Sequence, residues 1–527
     1  MSKATTNYHS MADKEPRVLP STNLAASTAE SIGADLSVLR ASFRQGKLRP
    51  VENRKRILRQ IQTLIKEGTP LLEEACLRDL NKHPMEFFVM ELAGIHAELQ
   101  EHLDHLDDWT APEKVSTNLV NLPGSSYIVS DPLGVCCIID TWNYPVSLLF
   151  GPLIGCIGAG NCALVRLPPE GTCDHVTAVV ASLLDKYVDS DVVRYVVGGI
   201  ESNIAMLKHK FDLIFVTGGT TIGKIVARAA AETLTPIVLE LGGKSPCIVD
   251  GGSLDLNVAA TRIAWGAFAN TGQTCLRPDY LLVHSSVGDR LVSLVIEKLV
   301  QFFGTDPEQS DSYGRVVNAT QHDRLKAIID SDRAFLVHGG DTNAATRYIA
   351  PTLLNFKTNL NAFEESAAMQ GELFGPVLPI LYYDNLDSVV DIVTSRPKPL
   401  ALYIFSNIKH NIERVRTETS SGSLCINDVM AQNSNSALPF GGVGNSGMGS
   451  YHGKHSFKTF SHQKAVLWKS TMLDFPQRYM PYSESKASFL RLTMKPITRT
   501  QTRVLLVVGL IVIAAIVVAI VLVTTKK

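Results

Sequence analysis

The chain has 527 residues, enough for two or more domains, and its 50 Lys and Arg residues are balanced by 51 Asp and Glu residues. This balance leaves no basic excess for a nucleic acid, so no nucleic-acid partner is expected. Nine cysteines without a C-x-x-C pair, and no apolar signal core at the N-terminus, indicate reduced thiols in a cytosol-like compartment.

The N-terminal segment differs in composition from the rest of the chain. Residues 1–34 are rich in Ser, Thr, Ala and Asn without a periodic apolar pattern, which predicts disorder. Asp13 and Glu15 argue against a mitochondrial presequence. From about Leu36 to Trp109 apolar residues recur at helical spacing, which predicts a run of amphipathic helices.

Short apolar strands alternate with helices in the next part of the chain. Residues 125–140, "SSYIVSDPLGVCCIID", have the pattern of strand, turn and strand. Further strands are predicted at "NCALVRL", "VVRYVVGG", "FDLIFVTG", "TPIVLELGG" and "PCIVD". The alternation is typical of βαβ units and predicts a parallel sheet.

One glycine turn is similar in sequence to an ATP-binding loop. Gly218 to Lys224 spells G-x-x-x-x-G-K, but Ile225 follows where the magnesium-binding Ser or Thr is required. The Lys244-Ser245 pair lies behind "VLELGG", in which Val238 occupies the first glycine position. What remains is a strand, a glycine turn and a helix whose free N–H groups could face a pyrophosphate, or simply a tight strand-to-helix turn.

Four other segments carry candidate reactive side chains. Cys275 in "FANTGQTCLRPDY" heads a predicted turn, and Glu240 in "LELGGKSP" ends a strand before two glycines. Asn143 in "TWNYP" follows a strand, where its amide could donate to an oxyanion, and "GELFGPVLP" supplies Glu372 and Phe374. Each residue alone is more often structural. Together they offer a thiol nucleophile, a carboxylate base, an amide donor and a dinucleotide-type turn.

The C-terminal end is strongly apolar. Residues 504–523, "VLLVVGLIVIAAIVVAIVLV", carry no charge and would span ~30 Å as a helix, the thickness of a bilayer core. We predict a transmembrane tail anchor rather than a buried core element, with the bulk of the protein facing the cytosol. Endoplasmic reticulum, lipid droplet, peroxisome and outer mitochondrial membrane all suit such an anchor.

Taken together, "TPIVLELGGKSPC", "GQTCLRPDY", "FGGVGNSGMGSYHGKHSFKTFSHQKA" and the apolar tail resemble the aldehyde dehydrogenase superfamily, above all its class 3, membrane-anchored fatty aldehyde dehydrogenases. The resemblance runs from about residue 36 to the end. It implies an α/β fold with a Rossmann-like dinucleotide-binding domain, a second α/β catalytic domain, a small bridging β-sheet and a C-terminal transmembrane helix.

The resemblance also implies a division of the chain into domains. The NAD-binding domain would comprise 35–117 and 135–239, and the catalytic domain 240–444. The bridging segments would be 118–134 and 445–475, through which relatives pair, so a homodimer is expected. Residues 476–503 would lie next to the membrane, ahead of the anchor at 504–523.

The same resemblance implies roles for individual residues. Cys275 would attack the aldehyde, Asn143 and the Cys275 backbone N–H would hold the oxyanion, and Glu240 would activate the water that hydrolyses the thioester. The substrates would be fatty or other apolar aldehydes, and no metal is expected. The cofactor would be bound by the residues Gly218, Gly223, Arg166, Trp142, Glu372 and Phe374.

Two departures from the family pattern leave questions open. Where relatives carry Lys-Pro-Ser-Glu, this chain has Arg166-Leu167-Pro168-Pro169-Glu170, which displaces the acid that disfavours NADP. NAD is therefore preferred, with NADP not excluded. The stretch "NDVMAQNSNSALPFGG" is more polar at 431–433 than in relatives, which puts a strictly long-chain preference in doubt.

Two alternatives to aldehyde oxidation remain at this point. One is a catalytically silent membrane scaffold on the same fold, against which the complete set of Cys275, Glu240 and Asn143 argues. The other is an enzyme that passes the acyl group to coenzyme A, against which Glu240 argues because it favours hydrolysis.

Overall fold

The structure is a computed structural model that describes residues 17–252, 254–472 and 474–494, together with Val507, Ile511 and Ala514. The described residues fall into two compact units. The first joins the chain up to Ala111 with Ser130–Gln463, and the second joins Pro112–Val129 with the described residues from Lys464 onward.

Helices and strands follow one another along the described chain. The helices are α1 (Ala29–Arg44), α2 (Val51–Leu80), α3 (Pro84–Phe87), α4 (Ala93–Thr110), α5 (Ser147–Ala159), α6 (Asp174–Tyr187), α7 (Ile200–Leu207), α8 (Thr220–Ala231), α9 (Leu256–Phe268), α10 (Ser285–Phe303), α11 (Ala319–Ser331), α12 (Leu360–Glu365), α13 (Leu386–Thr394), α14 (Lys409–Glu418), α15 (Gly453–Thr459) and α16 (Glu484–Thr493). The strands are β1 (Glu113–Val115), β2 (Ser125–Pro132), β3 (Val135–Ile139), β4 (Cys162–Arg166), β5 (Val193–Val196), β6 (Leu213–Gly218), β7 (Ile237–Leu241), β8 (Pro246–Val249), β9 (Tyr280–His284), β10 (Leu336–His338), β11 (Thr342–Asn343), β12 (Tyr348–Ile349), β13 (Thr352–Asn355), β14 (Val377–Tyr383), β15 (Ala401–Phe405), β16 (Ser423–Ile426), β17 (Gly447–Met448) and β18 (Ser461–Trp468). A π-helical turn, Phe88–Leu92, joins α3 to α4.

The first large sheet has the strand order β17-β7-β6-β3-β4-β5, parallel throughout except for β17. Alternate residues of β3 face opposite layers of the core. Cys136 and Ile138 pack in the cluster that contains α5 and α6, whereas Val135 and Cys137 pack with α1 and α8. A sheet covered on both faces explains why these strands are almost continuously apolar, and the predicted parallel α/β sheet is confirmed.

The second large sheet has the order β10-β13-β14-β9-β8-β15-β16, parallel apart from β10. It too is covered on both faces, since Cys247 and Val249 of β8 pack with α9 and α10 while Ile248 packs with α11 and α13. The chain passes from the first sheet to the second between β7 and β8. The "LELGGKSP" segment therefore lies where the two sheets meet along the chain.

A third, three-stranded sheet has the order β1-β2-β18. Strands β2 and β18 fall within the segments predicted to supply a bridging sheet. The strand bounds do not coincide with the predicted domain limits. Strand β1 precedes residue 118, the limit between 239 and 240 falls inside β7, and β17, within the 445–475 segment, pairs with β7 of the first large sheet.

The predictions for the two ends of the chain are only partly covered by the described residues. Helix α1 begins at Ala29, capped by Thr28, so the predicted disorder to residue 34 is wrong for its last residues, while residues 1–16 lie outside the described structure. The predicted membrane helix at 504–523 also lies outside the described residues, apart from Val507, Ile511 and Ala514. Among the helices that the structure describes, none is long and apolar enough to cross a membrane.

Candidate active site

Cys275 lies in the segment between α9 and β9. Just before it, Asn270 and Thr271 adopt left-handed backbone angles, with φ of 51° and 55°, and this reverses the chain direction after α9. Cys275 is half-buried and Cys425 likewise, whereas the other cysteines of the chain are buried. Cys275 alone among these thiols lines the large cavity described below.

Glu240 is the penultimate residue of strand β7 and lies beside this thiol. Its side chain is buried, with 2% of the residue exposed, and one carboxyl oxygen, Oε1, has no hydrogen-bond partner within the described chain. Burial raises the pKa of Glu240 to about 8, a hydrogen bond from the Cys275 thiol opposes this rise, and the Glu372 carboxyl adds to it. The structure thus brings together Cys275 and Glu240, which are far apart in sequence.

The surroundings of the thiol favour its protonated form. Burial raises the pKa of Cys275 well above its usual value, and the nearby carboxyl groups of Glu240 and Glu372 raise it further. A thiol donor next to a carboxyl group that titrates near neutrality forms a pair through which one proton can move.

Asn143 follows β3 in the loop that leads to α5 and is 1% exposed. Its amide nitrogen Nδ2 donates to the carbonyl oxygen of Gln273 at 3.1 Å, two residues before Cys275. The neighbouring Tyr144 hydroxyl pairs with the Thr274 hydroxyl at 2.6 Å. These two contacts hold the Asn143 loop against the cysteine segment and leave one amide N–H of Asn143 for another acceptor.

A buried ion pair supports the Asn143 loop. Lys82 Nζ lies 2.6 Å from Glu91 Oε1, and neither side chain is exposed. Lys82 also donates to the Asn143 carbonyl at 3.0 Å, while Glu91 Oε2 accepts from the backbone N–H groups of Val146 at 2.9 Å and Ser147 at 3.2 Å. The pair therefore binds backbone groups on both sides of the turn that carries Asn143.

Asn270 joins the two segments from the other side. Its Nδ2 donates to the carbonyl oxygens of Asn143 at 2.9 Å and of Gln273 at 3.1 Å, and its backbone N–H donates to the Glu86 carboxyl. The sequence analysis missed Lys82, Glu91 and Asn270. Their local sequence does not separate them from solvated polar residues, because each finds its partner only through the fold.

The candidate cofactor residues show room for a ligand. A Cβ atom added at Gly219 would meet nothing within 4 Å, so the turn that follows Gly218 is open above its backbone. Helix α8 begins there without a side-chain cap, which leaves its first N–H groups for an anion. Gly223 has another role, since a Cβ there would lie 2.9 Å from Leu241 and prevent close packing of α8 on β7.

A second part of the cofactor set lies around Glu372. Its carboxyl group sits over Gly242, where a Cβ atom would fall 2.2 Å from Oε1, and Oε1 has no hydrogen-bond partner among the described residues. Burial raises the pKa of Glu372 to about 8. Trp142 and Phe374 form an edge-to-face pair with ring centroids 5.3 Å apart, and Phe374 has a left-handed φ of 49°. An unsatisfied carboxyl group next to an aromatic pair fits the polar and flat parts of a dinucleotide.

Arg166 is placed differently from the other predicted cofactor residues. It is buried at the end of β4, and its guanidinium donates to Asn203 Oδ1 at 2.5 Å and to the carbonyl oxygens of Leu167, Pro168 and Gly198. Burial lowers its pKa to about 10. Four of its five N–H donors thus bind protein acceptors, which leaves at most one for a ribose hydroxyl.

A cavity of about 490 Å³ leads to Cys275. Its walls include Tyr144, Trp265, Phe440 and Tyr451, and its rim includes polar residues between 431 and 436. The fold and this site place a thiol beside a buried carboxyl group, with a largely apolar cavity on one side of the thiol and room for a dinucleotide in the same compact unit, an arrangement that suits an enzyme of the α/β class.

Comparison with known proteins agrees with this class. The Aldehyde dehydrogenase family model matches residues 15–466. Aldehyde dehydrogenase family 3 member A2 of Rattus norvegicus is 40% identical over 483 residues, which cover 91% of this chain and 98% of that protein. The rat protein named "Aldehyde dehydrogenase, dimeric NADP-preferring" is 41% identical over 442 residues, 84% of this chain and 95% of that protein.

A solved structure gives the same result. The structure described as the substrate-bound state of Staphylococcus aureus AldH superposes with a TM-score of 0.84 at 39% identity, covering 88% of this chain and 99% of that one. The chain belongs to the aldehyde dehydrogenase family. The predicted resemblance to class 3 members is confirmed by the family 3 relatives.

Proposed function

We propose that this chain oxidises fatty or other apolar aldehydes to carboxylic acids with NAD or NADP, through an acyl group held on Cys275. The observation that carries the proposal is the contact between the Cys275 thiol and the Glu240 carboxyl. The apolar walls of the cavity at Cys275 support a substrate with an alkyl or aromatic body.

In the first step the Cys275 sulfur bonds to the aldehyde carbon and its proton leaves to the ionised Glu240 or to water. The carbonyl oxygen becomes an oxyanion, which accepts from the free amide N–H of Asn143 and from the Cys275 backbone N–H. One such donor contributes about 3 kcal/mol to transition-state stabilisation. Its alignment depends on Lys82 and Asn270, which fix the Asn143 carbonyl.

When NAD or NADP is bound, it supplies the acceptor for the hydride that leaves the substrate carbon. Glu240 then removes a proton from water, the hydroxyl oxygen bonds to the thioester carbon, and the bond from carbon to Cys275 sulfur breaks. The acid leaves and the thiol is restored. The residues that would hold the cofactor are the Gly218–Gly219 turn with the start of α8, Glu372, and the pair Trp142 and Phe374.

The test is release of NADH or NADPH from purified protein with hexanal, with both cofactors assayed in parallel. Cys275→Ser is expected to abolish release, whereas Cys425→Ser, which changes the other half-buried cysteine, is expected to retain it. Absence of turnover with every aldehyde tested would favour the silent scaffold. An acyl thioester formed on addition of coenzyme A would favour the acylating enzyme.

We further propose that residues 504–523 anchor the chain in a membrane with its catalytic part in the cytosol. Exposed apolar side chains in the preceding segment support a bilayer neighbour, namely Tyr479, Met480, Tyr482, Leu492 and Met494. Alkaline carbonate is expected to leave the full chain in the membrane fraction and to release a chain ending at residue 494. Imaging of the tagged chain distinguishes endoplasmic reticulum, lipid droplet, peroxisome and outer mitochondrial membrane.

We also propose that the chain is a homodimer. One rat relative is named a dimeric enzyme, which supports this assembly. The three-stranded sheet of β1, β2 and β18 supports it too, because its two edge strands, β1 and β18, are largely exposed. Light scattering of the detergent-purified protein measures the mass, and a mass of one chain at assay concentration contradicts the proposal.

A further inference from the structure

A second apolar groove adjoins the substrate cavity. It measures about 340 Å³ and is lined mainly by Met85, Val89, Met90, Trp265, Phe302 and Phe303. Three of these residues, Val89, Met90 and Trp265, also line the cavity at Cys275. These three side chains therefore form a ridge that is a wall common to both spaces.

The ridge and groove are apolar surface that is open to solvent. Met85 is 59% exposed, Val89 49% and Trp265 40%. Adjacent apolar side chains that remain in contact with water are typical of a surface that binds an apolar ligand.

Two of the polar side chains at the groove, those of Glu86 and His83, already have protein partners. The Glu86 carboxyl accepts from the Asn270 backbone N–H, and His83 Nδ1 accepts from the Met85 backbone N–H at 3.1 Å. An alkyl chain in the groove would therefore leave neither group without its present partner. By contrast, the first cavity is also lined by Asn433, Ser434 and Ser436, whose polar atoms would lose water on contact with an alkyl chain.

We propose that this groove binds the distal part of long-chain aldehydes, which cross the Val89–Met90–Trp265 ridge once they outgrow the cavity at Cys275. The inference rests on the proposed oxidation of apolar aldehydes and adds the path of the chain. It also assigns an effect to the polar residues between 431 and 436. They disfavour contact with the alkyl chain of the substrate and so direct it toward the ridge, without excluding long substrates.

The physical signature is the dependence of kcat/KM on chain length. Each methylene moved from water into an apolar site strengthens binding by up to about fourfold. The wild-type protein is expected to gain with every added methylene beyond the length that fills the first cavity. Without the groove, the gain ends at that length.

The first experiment closes the groove from its rim. Ser312 is exposed and lines the groove but not the first cavity, so Ser312→Trp introduces a bulky ring there without altering a buried side chain. Gln309→Trp is the matched control, because Gln309 is exposed and lines neither space. Aldehydes from hexanal to hexadecanal are assayed with the full-length protein in detergent.

Ser312→Trp is expected to lower the hexadecanal-to-hexanal ratio of kcat/KM at least tenfold, and Gln309→Trp to leave it unchanged. An unchanged ratio in Ser312→Trp overturns the inference. Hexanal oxidation by the wild-type protein tests the proposed function separately, since its absence would remove that function whatever the ratio.

A second measurement does not depend on turnover. Hexadecanoic acid carrying a terminal bromine is expected to quench tryptophan fluorescence when its chain passes Trp265, and the unbrominated acid is not. The quenched fraction is expected to disappear in Trp265→Phe. Equal quenching in wild type and Trp265→Phe overturns the inference, because the chain would then end near another tryptophan.

Discussion

Replacement of Glu240 by Gln separates the two halves of the proposed reaction. Glu240 has a pKa of about 8 because it is buried beside Glu372, so about one tenth of it is ionised at pH 7 and about nine tenths at pH 9. Thioester hydrolysis requires the ionised form. The hydrolysis rate is therefore expected to rise about tenfold between pH 7 and pH 9 in the wild-type protein.

Glu240→Gln keeps the size of the side chain but removes the base. General-base catalysis contributes about 10²–10⁴-fold, so steady-state turnover is expected to fall by that factor and to lose its rise near pH 8. Stopped-flow mixing with aldehyde distinguishes the steps, because the first NADH formed reports acylation of Cys275. A burst of about one NADH per site is expected to persist in the variant.

Glu372→Gln is the matched control for this experiment. Glu372 is the other buried carboxyl group with a pKa of about 8, and its charge raises the pKa of Glu240. Its removal is expected to move the inflection to lower pH without abolishing it. Steady-state turnover in Glu240→Gln that stays within a few-fold of wild type and retains the inflection would refute the assignment.

Three further changes test the supporting structure. Lys82→Met leaves the Glu91 carboxylate buried without its cation and is expected to lower the free energy of unfolding by about 3–5 kcal/mol in urea titrations. An unchanged urea midpoint would contradict this role of the ion pair. The methyl group of Gly242→Ala displaces the Glu372 carboxyl group, and NADH binding is expected to weaken at least tenfold in a fluorescence titration. Equal affinity would contradict a role of Glu372 in holding the cofactor. Burial raises the pKa of Asp140 in the folded protein, so the folded protein retains a proton that the unfolded chain releases. The free energy of unfolding therefore falls as pH rises. The thermal stability of Asp140→Asn relative to wild type should accordingly increase from pH 5 to pH 8, and a constant difference would be the contrary result.

The sequence predicts most strands of the first large sheet and the polar residues at their ends. Apolar runs bounded by glycine or polar residues predicted β3, β6 and β7, and the carboxyl end of β7 is where Glu240 lies. Parallel strands place such ends at one edge of a sheet, so a chemical set drawn from strand ends is predictable without knowledge of the packing. Small and polar residues before Cys275 in "FANTGQTCLRPDY" predict the turn that it heads, and its role as nucleophile comes from the resemblance to the family.

The contacts that orient these residues were not predictable in the same way. Lys82 and Glu91 lie in a stretch whose charges have the appearance of a solvated helix face, and their burial follows from the loop that packs on them. The predicted limit between the cofactor domain and the catalytic domain falls at Glu240. Hydrogen bonding places Glu240 in the first sheet instead, opposite Thr217 and Gly447.

Glu98 provides a pH dependence that opposes that of Glu240. It lines the cavity at Cys275, where its oxygens accept from the Gly453 N–H at 2.9 Å and from the Ser456 hydroxyl at 3.0 Å. Burial raises the pKa of Glu98 to about 7, so the wall of the cavity gains a negative charge as pH rises through 7.

An apolar aldehyde binds less well beside a desolvated charge, and KM is therefore expected to increase between pH 6 and pH 8 while kcat still increases toward pH 9. Glu98→Gln removes the charge and retains the amide oxygen as an acceptor for Gly453. In this variant KM for apolar aldehydes is expected to become independent of pH in that window, with the rise in kcat preserved because Glu240 is intact. A pH-dependent KM that survives the substitution would show that another group in the cavity titrates. A kcat profile that flattened along with KM would show that Glu98 also acts on the chemistry, contrary to a role in substrate binding alone.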